Sequence, residues 1–210
     1  MLEKIKQRYT YSAILLRELV ITDFKLRYQN SILGYVWSLL RPLALFVILY
    51  FVFVKFLRVG ESVEHFPVYL LFGIVVWNYF SEVTNNGVSA IVSRGDLLRK
   101  LNFPKYVIVL AGSFSALINL GLNLIVVTIF AIFNNVPLMG SLVWLPVLIV
   151  ELFIIALSMA FLLSALFVKI RDVNYIWEVI MQGAFYATPI LYPLSIIPEL
   201  AQKILILNPI

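Results

Sequence analysis

Apolar residues in this chain come in runs too long for a soluble core. The stretch 32–58 reads ILGYVWSLLRPLALFVILYFVFVKFLR and holds no charge between Pro42 and Lys55. A helix rises ~1.5 Å per residue, so about 20 residues cross the ~30 Å hydrocarbon layer. Four more such runs follow. The pattern predicts five spans, at 35–56, 67–91, 106–133, 142–167 and 174–191. The expected fold is an all-α integral membrane protein, a polytopic helix bundle occupying 32–210.

Both flanks of this bundle depart from the pattern. In segment 1–31, Leu16, Leu19, Val20 and Phe24 follow helical spacing, while Arg17, Glu18 and Lys25 fall elsewhere on the wheel. Such a helix is expected to lie in the cytoplasmic headgroup plane with its apolar face down. It serves either as a topology anchor or as a mechanical element beside a partner subunit. The tail, TPILYPLSIIPELAQKILILNPI, is apolar but broken by Pro189, Pro193, Pro198 and Pro209. Proline costs ~3 kcal/mol inside a helix. Residues 192–210 therefore read as re-entrant short helices in the outer leaflet, a conformation that survives only beside protein or a water cavity.

Charge orients the bundle. Lys4, Lys6, Arg8, Arg17, Lys25 and Arg27 precede the first span; Arg94, Arg99, Lys100 and Lys105 lie between spans two and three; Lys169 and Arg171 lie between four and five. The opposite connections are neutral or balanced, as in 134–141, or Arg58 against Glu61 and Glu64. Cationic loops stay inside, so the N-terminus is cytoplasmic. The net charge of +5 is thus a topology signal, not a nucleic-acid footprint. An apolar fraction of 62 %, against roughly 45–50 % in globular proteins, supports the same class. No signal-peptide core is visible in the first 31 residues.

Several chemistries are excluded. There is no cysteine and a single histidine, His65, so neither thiolate chemistry nor a His-based metal cluster can be built within one chain. No G-x-x-x-x-G-K-[ST], H-E-x-x-H or G-x-S-x-G motif occurs. The chain is expected not to be an enzyme and to bind no cofactor of its own. Intramembrane polar groups are the remaining candidates: Glu82 late in span two, Glu151 in the middle of span four, and Glu178 with Gln182 in span five. Burying such a carboxyl costs at least ~2.5 kcal/mol, which makes each a functional candidate. The alternative for each is an interhelical hydrogen bond from a protonated carboxyl, or a water-facing carboxylate.

Small residues at Ala156, Ala160 and Ser164, and at Ala111 and Ser115 ahead of Asn119 and Asn123, predict close helix packing. Phe46, Tyr50 and Phe53 share one face of span one and suit sugar stacking, lipid or core. The cytoplasmic stretch SRGDLLRKLNFPK, residues 93–105, predicts a short basic helix from Asp96 to Lys100, ended by Pro104. Its leucines, Leu97, Leu98 and Leu101, give it an apolar edge suited to another protein's groove, or it is positive-inside charge alone.

Taken in order, LRYQNSILGYVWSLLRPL, GIVVWNYFSE, LLRKLNFPKYVIVLAG, KIRDVNYIWEV and the proline-broken tail resemble the membrane subunits of ABC-2 type exporters. Among these the chain is most similar to permeases for O-antigen, capsule and teichoic-acid polysaccharides. The resemblance runs from about Leu16 to the last residue. It implies a homodimer in the bacterial cytoplasmic (inner) membrane with two cytoplasmic ATP-binding subunits, which hold the ATP and Mg and drive a lipid-linked glycan outward. It further implies a coupling helix at Arg94, Gly95, Asp96, Leu97, Leu98, Arg99, Lys100, Asn102, Phe103 and Pro104. The aromatic pathway would be Phe46, Tyr50 and Phe53. The external gate would be Pro189, Tyr192, Pro193, Pro198, Asn208 and Pro209. The family has a sixth span that this sequence lacks, so a longer parent chain is expected, and 210 residues alone are expected not to transport. Three rivals are an ABC-2 exporter of drugs or small amphiphiles, a proton-coupled secondary transporter using Glu151, and a lipid-modifying membrane enzyme, for which no polar cluster can be assembled.

Overall fold

The computed structural model describes residues 2–27, 29, 33–59, 63–100, 104–137, 140–193, 198 and 202. Among these, all regular structure is helical. The helices are α1 (Leu2–Arg27), α2 (Val36–Leu49, continued by a wider π-helical segment Tyr50–Phe56), α3 (Phe66–Ser93), α4 (Gly95–Lys100), α5 (Tyr106–Phe133), α6 (Leu145–Lys169) and α7 (Val173–Ala187). Four are long and apolar enough to cross a membrane: Val36–Phe56, Phe66–Ser93, Tyr106–Phe133 and Leu145–Lys169. They match the first four predicted spans to within a few residues. The fifth predicted segment is shorter than its apolar run. α7 has 15 residues, about 22 Å of helix at ~1.5 Å per residue, because the backbone turns extended at Thr188, just before Pro189.

The helix ends follow local chemistry. His65 takes a left-handed conformation, φ 56°, and Pro67 follows in the first turn of α3, where its missing N–H would have no partner anyway. At the end of α5 the left-handed residue is Asn135, φ 54°, a residue type that tolerates this region. The N–H of Val136 then closes on the Ala131 carbonyl at 3.1 Å.

α3 is the central helix. It packs against α2, α5, α6 and α7, and buries Leu70, Leu71, Ile74, Val83 and Val88. Lipid supplies no hydrophobic drive between helices, so close backbone approach carries the association. The predicted small residues do this work: Ala111, Ser115, Ala156, Ala160 and Ser164 are all buried. α3 and α6 come closest where Gly87 faces Ala160. A methyl group on Gly87 would lie 2.5 Å from the Ala160 Cβ and 2.8 Å from its Cα. Several hydroxyls within the spans are satisfied locally. Thr84, Ser113, Thr128 and Ser158 each donate to the carbonyl four residues back, at 2.7–3.0 Å.

This geometry predicts opposite outcomes for one substitution at two sites. Gly87→Ala must push α3 off α6, at about 1–3 kcal/mol, and should lower the thermal midpoint in detergent. Gly112→Ala meets nothing within 4 Å and gains helix propensity, so its midpoint should hold or rise.

Candidate functional site

One end of the bundle is built around the corner between α3 and α4. Leu97 and Leu98 of α4 are half-buried against Val107 and Ile108 at the start of α5. Leu15, Leu16 and Leu19 of α1 join the same cluster. The predicted apolar edge of α4 is thus largely spent inside the chain, holding α1 to the bundle. Arg94, between α3 and α4, forms an ion pair with Asp23 of α1. Its Nη1 atom is buried and has no hydrogen-bond partner among the described residues. Gly95, which opens α4, is half-buried, whereas Asp96 and Arg99 are exposed. α4 thus starts one residue earlier than expected and ends at Lys100. Asn102 and Phe103, like Leu101, lie outside the described residues. The Pro104 carbonyl accepts the Val107 N–H at 3.1 Å, opening α5.

A second cluster lies within the bundle, where α1, α2, α3 and α5 meet. Arg27, the last residue of α1, pairs with Glu82 of α3. The other Glu82 oxygen accepts from Asn119 Nδ2 at 2.9 Å. Asn123, one turn along α5, donates to the Asn119 carbonyl at 2.9 Å and to the Ser38 carbonyl at 3.3 Å. Ser38 is four residues before Pro42, which sits inside α2. Proline has no N–H to return to that carbonyl. Asn123 takes its place and ties α2 to α5. A small cavity of about 20 Å³ adjoins these groups, between Pro42, Asn78, Tyr79, Glu82, Asn119 and Asn123. Glu82 is therefore an interhelical partner, but as an acceptor from Arg27 and Asn119 rather than the protonated donor weighed from sequence. The roles of Arg27, Asp23 and Ser38 were missed. The one available signal was Pro42 in an apolar span, which obliges some other donor to serve Ser38.

The aromatic face of α2 turns inward. Phe46 is buried, edge-on to Phe130 of α5 at 5.5 Å between ring centres, and Tyr50 lies 5.8 Å from it. Tyr50 and Phe53 are half-buried on the π-helical segment, a form often found at functional sites. At the opposite end of the bundle, the chain beyond α7 folds back. Ile190, Leu191 and Pro193 are buried. The Tyr69 hydroxyl of α3 donates to the Pro189 carbonyl. Ile190 occupies the space a side chain at Gly73 would need, with its Cγ2 2.9 Å from that Cβ position. Tyr192 donates to the carbonyls of Tyr186 and Ala187 at 2.9 and 3.1 Å, serving groups the ending helix leaves open. Pro198 is exposed, and Asn208 and Pro209 lie outside the described residues.

Glu151 and Glu178 do not join either cluster. Glu151 falls in the second turn of α6, halfway between its first residue and its centre, on the exposed side. Glu178 and Gln182 are exposed on α7, and Glu178 accepts from Asn174 at 2.8 Å.

Comparison with known proteins agrees with this helical architecture. A family model described as ABC-2 type transporter matches residues 14–210. The chain is 30 % identical over 211 residues to the O-antigen export system permease protein RfbA of Myxococcus xanthus, covering 100 % of this chain and 80 % of that protein. It is 29 % identical over 209 residues to the protein of the same name from Klebsiella pneumoniae, covering 98 % and 80 %. The polysialic acid transport protein KpsM of Escherichia coli is 22 % identical over 205 residues, covering 97 % and 78 %.

The Asp23–Arg94 pair is expected to be a measurable bond between α1 and the α3–α4 corner. Its side chains are 17 % and 27 % exposed, so solvent weakens the pair. A double-mutant cycle of Asp23→Asn and Arg94→Gln, read as unfolding free energy in detergent, should give a coupling of about 1 kcal/mol.

Proposed function

The chain belongs to the ABC-2 type transporter family, and we propose that it is the membrane-spanning permease subunit of an ATP-driven exporter of lipid-linked polysaccharide. The observation that carries this reading is the end-to-end similarity to permeases named for O-antigen export, which extends over 100 % of this chain in one relative. The cargo is a glycan of the O-antigen, capsule or teichoic-acid kind. The protein works as a homodimer in the bacterial cytoplasmic membrane, N-terminus inside. The sequence has no phosphate-binding loop, so the engine is a pair of cytoplasmic ATP-binding subunits.

The mechanism follows from what each element is attached to. α4 is the coupling helix. Its outward face presents the exposed Asp96 and Arg99 to the ATPase, while Leu97 and Leu98 root it in the bundle. A push on α4 therefore reaches α1 by two routes, the leucine cluster and the Asp23–Arg94 pair. α1 lies along the cytoplasmic headgroups and carries the motion to Glu82 through Arg27. α7 completes the crossing as a fifth, shorter span. The half-buried Tyr50 and Phe53 at the wide outer end of α2 line the glycan path, with buried Phe46 as their backing. Pro189, Tyr192 and Pro193, folded back beside α3, form the outer gate, which extends through Pro198 to Asn208 and Pro209.

The test is co-expression with the cognate ATPase. The double variant Asp96→Lys with Arg99→Glu should leave the thermal midpoint in place. It should weaken ATPase capture about tenfold, equal to about 1.4 kcal/mol, and reduce glycan export. Leu97→Asp should instead lower the midpoint itself, because it breaks the cluster that holds α1. Undiminished capture and export by the double charge variant would refute the docking face. Because the chain has no cysteine, Arg99→Cys also reports topology without background and should react only from the cytoplasmic side.

A further inference from the structure

The small cavity beneath Pro42 combines three features. Its volume is about 20 Å³, and a water needs roughly 10–15 Å³ on the same scale. Its wall is polar on several sides: Asn78, Glu82, Asn119 and Asn123 all border it. Tyr79 borders it too, is only 2 % exposed, and has a buried hydroxyl that no group among the described residues meets with a hydrogen bond. An unmade hydrogen bond at this depth costs roughly 2–7 kcal/mol, and lipid offers nothing to relieve it.

We infer that this cavity is a binding site for a single water molecule, held by the Tyr79 hydroxyl and the Glu82–Asn119 pair. A water can accept the Tyr79 proton and donate both of its own, one to a Glu82 oxygen and one to the side-chain carbonyl of Asn78 or Asn119. That meets the two to four polar partners a buried water requires. A metal cation fits the site poorly. The Glu82 charge is already balanced by Arg27, and the Tyr79 hydroxyl needs an acceptor rather than a positive neighbour. The cavity owes its existence to Pro42, whose ring stands in its wall and whose missing N–H draws Asn123 to the Ser38 carbonyl. The water thus adds the face of α3 bearing Tyr79 to the chain of bonds that runs from Arg27 of α1 to Ser38 of α2.

Two measurements on the full chain in lipid nanodiscs test the site. Tyr79→Phe deletes one hydroxyl and keeps the ring. In a hydrated cavity it removes a bond worth about 1 kcal/mol, lowering the thermal midpoint by roughly 2–4 °C. In a dry cavity it removes an unsatisfied group, and the midpoint holds or rises. Radiolytic footprinting of the unsubstituted chain reads the same question without a variant, because radicals formed from a bound water label its neighbours. Tyr79 should be oxidised well above Phe66, which is equally buried at 2 % and does not border the cavity. A lowered midpoint together with a labelled Tyr79 is the expected result. A midpoint unchanged or raised, or a Tyr79 as inert as Phe66, overturns the assignment.

Discussion

Hydrocarbon cannot form hydrogen bonds, and every polar group in this bundle answers to that constraint. Several hydroxyls solve it alone, by donating to a carbonyl one turn back on their own helix, as Thr84 does to Phe80 at 2.9 Å. Carboxylates, carboxamides and a proline-freed carbonyl cannot. Several of them are gathered at one place, where Arg27, Glu82, Asn119, Asn123 and Ser38 serve one another across four helices. A polar cluster of this kind is directional where apolar packing is not. It sets which faces of α2, α3 and α5 meet, and it brings the end of α1 to the same point.

Close packing complements it. α3 meets α6 through Gly87 and Ala160 with no room for a further methyl, and α7 packs on α3, where Phe185 lies 5.7 Å from Trp77 between ring centres. α3 is therefore a rigid spine. Both candidate regions are attached to it: the α4 corner at one end, through Arg94, and the fold-back around Pro189 at the other, through Tyr69. A movement imposed at one end has a stiff element along which to travel.

The α3–α4 corner also shows how one short helix serves two duties. α4 is too short to be stable by itself, since isolated helices need about 12–15 residues. Leu97 and Leu98 supply the missing stability by packing on Val107 and Ile108 with the α1 leucines. What is left for a partner is the charged side, Asp96 and Arg99. Apolar contacts hold α4 to the bundle, while its charged side stays exposed.

The sequence alone determined the class, the four long spans and the small-residue contacts. Each rests on a one-dimensional signal: run length against bilayer thickness, or spacing along a helix. It also marked Glu82 as an interhelical partner or a functional group, without choosing between them. Tertiary structure decided the rest. Whether Leu97 and Leu98 faced outward or inward depended on where α1 came to lie. The partner of Glu82 is 55 residues away in Arg27, and the donor that serves Ser38 is 85 residues away in Asn123. Periodicity describes a helix relative to its own axis, and only the packed bundle determines what stands opposite each face.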